Sequence, residues 1–441
     1  MKRWLQEKLT KKPLHQSDFT KDISTKPRTS RKLSDAIEVR TSSSIDQQGQ
    51  SPSICDLPDD ILLLILRYLS PADETFYSFP RVCRRFRNVS CQLSHYGHRS
   101  TIKIGPEDTI SFKLFTTLMK EFANHIQTVD FSGCDDVTDQ VIHTVAKTCR
   151  HLKQLYLTGC GQLTNVGLKV VARYLHELES LDVSLCPWIT ASGIFLVVTS
   201  VGRSLKKLHM NNCLGMRSCG LIAFSLGKYC PKLTHLTLAW TPEFGLQPPA
   251  VQLNLIKFST RCHRVEYMDI SYNECHTLDL AELEHNCPRL KHLKAHHVFK
   301  DNSLTSLRNG FLQLTRLDLT DNWRLADRGL SLIVEHCPLL MELILTRCYD
   351  LRGRGIVLTI SSCENLRSLK VNFCFYMDEK ALEWVGTMSK SLTHMDVSHN
   401  VNISPITLRN ISEVRKSHKR APVEIITGGC PKITRSSSRF K

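Results

Sequence analysis

Between Ile126 and Val397 the chain writes one short pattern eleven times: an apolar residue, two others, an apolar residue, one other, and a third apolar residue. The plainest copies are CRHLKQLYLTGC at 149–160, CPLLMELILTRC at 337–348 and CENLRSLKVNFC at 363–374. The leading residues are Ile126, Leu152, Leu178, Leu205, Leu233, Val265, Leu290, Leu314, Leu340, Leu366 and Leu392. Successive intervals are 26, 26, 27, 28, 32, 25, 24, 26, 26 and 26 residues. All thirty-three scaffold positions are apolar in a chain that is 41% apolar overall. Chance would do this roughly once in 10¹³ trials, so the period is structural.

The pattern has a mechanical meaning. Its apolar-x-apolar core alternates with period two, as in a short strand with one buried face. An apolar set at helical spacing follows, such as Val141, Ile142, Val145, Ala146 and Cys149, or Leu168, Val171, Ala172 and Leu175. One strand and one helix cannot bury their own apolar face. A stack of such units can, with parallel strands inside a curve and helices outside. Eleven strands at ~4.8 Å spacing span about 50 Å, enough to grip a folded partner or a long peptide.

The repeat resembles the cysteine-containing subclass of leucine-rich repeats, whose motif C-x-x-L-x-x-L-x-L-x-x-C is followed by a stretch like I-T-D-x-G-L. CDDVTDQVI, CGQLTNVGL, CPWITASGI and NWRLADRGL match that second half. The resemblance implies an α/β horseshoe solenoid of 11–12 strand–helix repeats over residues 123–430, with a weaker last strand around VEIITGGC (423–430). Six cysteines follow the strand: Cys134, Cys160, Cys186, Cys213, Cys348 and Cys374. Six precede it: Cys149, Cys230, Cys262, Cys287, Cys337 and Cys363. Where the post-strand cysteine is missing, Thr241, Asn273, Asn322 and Asn400 replace it, with Val298 the apolar exception. Small side chains that bond to loop backbone explain this interchange better than metal chemistry does. No C-x-x-C pair and no H-E-x-x-H occurs in the chain. No metal, cofactor or catalytic residue is therefore expected.

A second feature precedes the repeats. DLPDDILLLILRYLSP at 56–71 holds six consecutive aliphatic residues, Ile61 to Leu66, which cover every side of a short helix. Pro58 suits the first helical position, and Ser70-Pro71 ends the helix. About fifty residues bury only a limited share of their surface, and exposing six aliphatics would forfeit on the order of 10 kcal/mol. Part of the run packs on Phe76, Phe79, Val82 and Phe86, and the rest needs an outside surface. LPDDILLLILRYL followed by VCRRF resembles an F-box. That resemblance implies a three-helix unit docking a Skp-type adaptor, which in turn sits on a cullin scaffold with a RING subunit. The residues it assigns to the adaptor are Leu57, Pro58, Ile61, Leu62, Ile65, Leu66, Val82, Cys83 and Phe86. The link PADETFYSFPRVC is about two residues longer than the family's, and Pro80 lies where the family tends to have helix.

The expected order is a disordered basic leader (1–52), an all-α F-box (53–100), a linker (101–122), the repeats (123–430) and a basic tail (431–441). The leader, with its eleven Lys/Arg, six Asp/Glu and few aromatics, cannot support a core. It also lacks a signal-type apolar core, so a cytoplasmic or nuclear setting with reduced thiols is expected. The net charge of +16 attracts polyanions in general. No stacked aromatic motif supports nucleic-acid binding, and no apolar stretch is long enough to span a membrane.

Outward strand positions include Thr128, Asp130, Gln154, Tyr156, His235, His292, Lys294 and Asp318. The position just past each strand changes from Gly133 and Gly159 to Trp240, Tyr272, His297, Arg347 and Phe373. Aromatic and arginine side chains anchor interfaces most often. Trp240, Tyr267, Tyr272, His296, Arg316, Arg347, Lys370 and Phe373 are thus the expected substrate contacts, for an acidic or phosphorylated protein segment. The function expected from both resemblances is a non-catalytic substrate receptor of a Skp–cullin–F-box ubiquitin ligase. The competing reading is a non-degradative scaffold.

Overall fold

The computed structural model describes residues 101–105, 123–124, 126–213, 215, 220–240, 263–273, 283, 285–298 and 311–433. The expected leader, the whole F-box stretch with its nine adaptor contacts, most of the linker, Thr241, Cys262, the residues between those two in the 32-residue interval and the tail beyond Ile433 lie outside these residues.

Thirteen three-residue strands form one parallel sheet in chain order. They are β1 (Thr101–Lys103), β2 (Thr128–Asp130), β3 (Gln154–Tyr156), β4 (Ser180–Asp182), β5 (Lys207–His209), β6 (His235–Thr237) and β7 (Tyr267–Asp269), then β8 (His292–Lys294), β9 (Arg316–Asp318), β10 (Glu342–Ile344), β11 (Ser368–Lys370), β12 (His394–Asp396) and β13 (Glu424–Ile426). β13 is the weak last strand of the sequence pattern. β1 falls in the stretch expected as linker and pairs in register with β2, Ile102 opposite Val129. Each strand repeats this register with the next, as in Leu155 opposite Leu181 and Leu343 opposite Leu369. A column of like positions therefore runs for about 58 Å at ~4.8 Å per strand.

The described helices are α1 (Asp139–Thr148), α2 (Asn165–Tyr174), α3 (Ala191–Val201), α4 (Gly220–Tyr229), α5 (Asp327–Val334), α6 (Arg354–Ser362), α7 (Glu379–Met388) and α8 (Pro405–Ser417). Scaffold residues Leu152, Leu155 and Leu157 and the inner helix residues Leu168 and Val171 are fully buried. Each Leu so enclosed stabilises the stack by about 2 kcal/mol. None of the described helices is long and apolar enough to cross a membrane.

Neighbouring copies are also tied by polar bonds. The Sγ of Cys186 donates to the carbonyl of Leu157 at 3.1 Å, and that of Cys374 to Leu345 at 3.1 Å. Where asparagine takes this place, Nδ2 does the same: Asn322 donates to Ala295 at 2.8 Å and Asn400 to Val371 at 2.8 Å. The interchange of cysteine and asparagine is thus an interchange of donors to one carbonyl. The twelve described cysteines are buried thiols. Burial pushes Cys149, Cys186, Cys363 and Cys374 up to about 12, so they stay protonated and inert near neutrality.

The starts of α2, α3, α6 and α8 are served by a side chain of the copy before them. The Asp139 carboxylate accepts from the Thr164 amide (3.0 Å), the Thr164 hydroxyl (2.6 Å) and the Gly167 amide (2.9 Å). Asn165 accepts from the Thr190 amide, Asp327 from the amides of Arg352, Gly353 and Arg354, and Glu379 from that of Ser404. These bonds satisfy amides that a helix start leaves without a partner. Glycine in the I-T-D-x-G-L stretch permits the approach: a Cβ on Gly167 would stand 2.6 Å from Asp139 Oδ1.

Candidate partner-binding surface

The strand face carries the first tier of exposed groups. His235 stacks on Tyr267 (5.7 Å between ring centroids), and His292 lies beyond it at 6.2 Å. Burial, then nearby cations, lower the pKa of His235 and His292; Lys207 acts first on the former and Arg316 on the latter. His209 is lowered as well, burial outweighing the opposite pull of Asp182. This patch is therefore aromatic and neutral at pH 7, flanked by Lys294 over Tyr267 at 6.0 Å.

Farther along, the basic residues expected to meet an acidic ligand already hold acids of this chain. Glu342 bridges Arg316 (3.0 Å) and Lys370 (3.3 Å) across three strands. His296 Nε2 lies 3.0 Å from Asp318 Oδ1. Burial works against the charge of Asp318, yet its bonds from His296 and Thr320 outweigh it and hold its pKa low. The aspartates of the third strand position have a local task. Asp130, Asp182, Asp269, Asp318 and Asp396 each accept the amide two residues on, which closes the turn after the strand.

The second tier is that turn. In eleven copies the residue after it is left-handed: Gly133, Gly159, Leu185, Asn212, Tyr272, His297, Asp321, Arg347, Phe373, His399 and Gly429. Each non-glycine residue there bears about 1 kcal/mol of backbone strain. A compensating bond runs from its amide to the next copy, as in Arg347 to the Asn372 carbonyl at 3.0 Å. From Tyr272 onward these side chains touch in sequence. Tyr272 stacks on His297 at 5.8 Å and donates its hydroxyl to Asp321; Arg347 pairs with Asp321 at 3.3 Å and lies over Phe373 at 5.6 Å. Phe373 stacks on His399 at 4.2 Å. A Cβ on Gly429 would meet that imidazole at 2.3 Å, so glycine keeps the last place open.

Of the expected contacts, Tyr272, Arg347 and Phe373 thus belong to one continuous chain, and Tyr267, His296, Arg316 and Lys370 to the strand tier beside it. Trp240 departs from the expectation of an exposed anchor. It is only 6% exposed, and its amide donates to Ser271 like that of any scaffold turn.

Family models match an F-box-like segment at residues 54–99 and leucine-rich repeats at 148–172 and 314–334. The chain carries an F-box-like domain and leucine-rich repeats. No curated protein matches it. Two solved structures are similar at 15% identity. One is the complex of Rad7 and Elc1 in yeast, covering 86% of this chain and 94% of that one with a TM-score of 0.48. The other is the internalin inlF of Listeria monocytogenes, covering 83% and 93% with a TM-score of 0.44.

A third tier of this repeat surface escaped the sequence pattern. It lies one to four residues past the post-strand Cys or Asn: Trp323, Arg324, Tyr349, Arg352, Phe375 and Tyr376. Trp323, Phe375 and Tyr376 are exposed. Tyr349 stacks on Phe375 at 5.4 Å, and Phe375 meets Phe373 of the turn tier edge-on at 6.3 Å. Arg324 lies 4.3 Å over Trp323 and Arg352 5.6 Å over Tyr376. Its sequence signal was an aromatic residue directly after the Cys or Asn in three successive copies, Trp323, Tyr349 and Phe375.

Proposed function

We propose that this protein is a substrate-receiving subunit of a Skp–cullin–F-box ubiquitin ligase. In this role residues 54–99 hold a Skp-type adaptor, and the repeats hold the protein to be modified. One observation carries the reading: an F-box-like domain shares a chain with a leucine-rich-repeat sheet whose later copies expose aromatic and arginine side chains. F-box and leucine-rich-repeat proteins are in general non-catalytic adaptors. The chemistry would fall to the cullin-bound RING subunit and its conjugating enzyme. This chain would contribute by raising the local concentration of the target.

Co-expression with a Skp-type adaptor tests the reading. A stable complex is expected, and the double substitution Leu57→Ala, Pro58→Ala is expected to weaken it. A wild-type chain that never retains the adaptor would leave the scaffold role in its place.

A further inference from the structure

We propose that the edge formed by Trp323, Arg324, Tyr349, Arg352, Phe375 and Tyr376 binds an extended protein segment rich in aspartate and glutamate, with its carboxylates on Arg324 and Arg352. The proposal rests on the repeats being the partner-gripping half of the molecule, and it moves the anion site away from the strand face.

Charge compensation makes the distinction. Arg316 and Lys370 share Glu342, and Arg347 holds Asp321. An acidic ligand at any of them would meet a cation already partly compensated by an acid of this chain. Arg324 and Arg352 are exposed and have no acid within ion-pair distance among the described residues. Their planar guanidinium groups lie over aromatic rings. Such stacking fixes the planar group while leaving its edge N–H donors available for a carboxylate. Ordering of two long side chains, normally a cost of binding, is thereby partly met in the free protein.

The acids on this edge are engaged elsewhere. Asp327 accepts three amides of the α6 start, Asp378 accepts the Lys380 amide, and Glu379 accepts the Ser404 amide. Asp350 is the exception, exposed in the same turn as Arg352. On the same edge Tyr349 and Phe375 stack and offer an apolar floor. The ligand that matches is an acidic strand carrying an apolar residue among its carboxylates.

The test is selection of a phage-displayed random dodecapeptide library on the full chain, followed by titration of a synthetic selected peptide. Enrichment of Asp and Glu is expected, with affinity falling as salt rises. Arg324→Gln with Arg352→Gln should weaken the peptide by about tenfold or more, whereas Arg316→Gln with Lys370→Gln should leave it nearly unchanged. Asp350→Asn should tighten binding. Selection without acidic enrichment, loss confined to the strand-face pair, or binding only after the acids are replaced by phosphoserine would each overturn the assignment. Adaptor retention measured on the same preparations separates the two readings. A chain that holds the adaptor but ignores acidic peptides removes the edge site and leaves the receptor role. A chain that selects acidic peptides without holding the adaptor does the reverse.

Discussion

The early and late copies of this sheet share a backbone and differ in what they mount on it. In β2 to β5 the left-handed turn is occupied by Gly133, Gly159, Leu185 and Asn212; from β7 to β12 it is occupied by Tyr272, His297, Asp321, Arg347, Phe373 and His399. Glycine adopts that conformation without strain, and the bulky residues do not. Leu185 and Asn212 accept the same strain, so the late copies are marked as the part built for contact by their side chains, which stack and pair from one copy to the next. The early copies show what the scaffold needs when nothing else is asked of it.

Core substitution should erase the difference. Leu155→Ala and Leu369→Ala remove equivalent, fully buried side chains. Each should cost about 3 kcal/mol, read as a lowered denaturant midpoint of similar size in both halves. Asn322→Ala should cost about 2 kcal/mol. Its amide group serves the Ala295 and Leu319 carbonyls, and its oxygen accepts the Val298 amide. Cys348→Ala, which removes one weak bond to Leu319, should cost about 1 kcal/mol. If the cysteine change proved the larger, the additional bonds of Asn322 would not be what separates the two donors.

Contact should divide the halves where the core does not. Phe373→Ala is expected to weaken partner binding about tenfold, while Leu185→Ala leaves it unchanged; surface-immobilised chain and a selected peptide give the measurement. Equal losses at both positions would end the distinction.

The smallest effect is in pH. The folded pKa values of His209, His235 and His292 lie below the ordinary 6.5. As pH falls from 6.5 toward those values, the unfolded chain takes up protons that the folded one refuses, so stability declines. It is fully present above 6.5. Replacing the three with glutamine should flatten the melting temperature between pH 7 and pH 5. An unchanged slope would show that other groups set it.

The fold was legible because three apolar residues at a near-constant interval leave few ways to be buried. The exchange of cysteine for asparagine could be anticipated from size and polarity alone. The binding surface was legible only in part. That Arg316 and Lys370 share an acid depends on Glu342 of the copy between them, and charge patterning along the chain does not register a bond made a whole repeat away. The aspartate column looked like part of the ligand face for the same reason, although each acid serves its own turn. Trp240 follows the same sequence position as Tyr272, yet its surroundings bury it. Strand β1 keeps the interval, Ile102 standing opposite Val129, but Arg99 occupies the place of the leading apolar residue and hides the pattern.

The side chains that begin one helix and accept from the start of the next give the stack a direction. Asp139, Asn165, Asp327 and Glu379 all reach forward along the chain, so a newly arriving copy meets an acceptor set out in advance. Growth from the amino side is therefore templated at these four joints, in the order in which synthesis on the ribosome would deliver them. Loss of a copy would accordingly be felt downstream first, where the next helix opens with bare amides, while the copies upstream keep theirs.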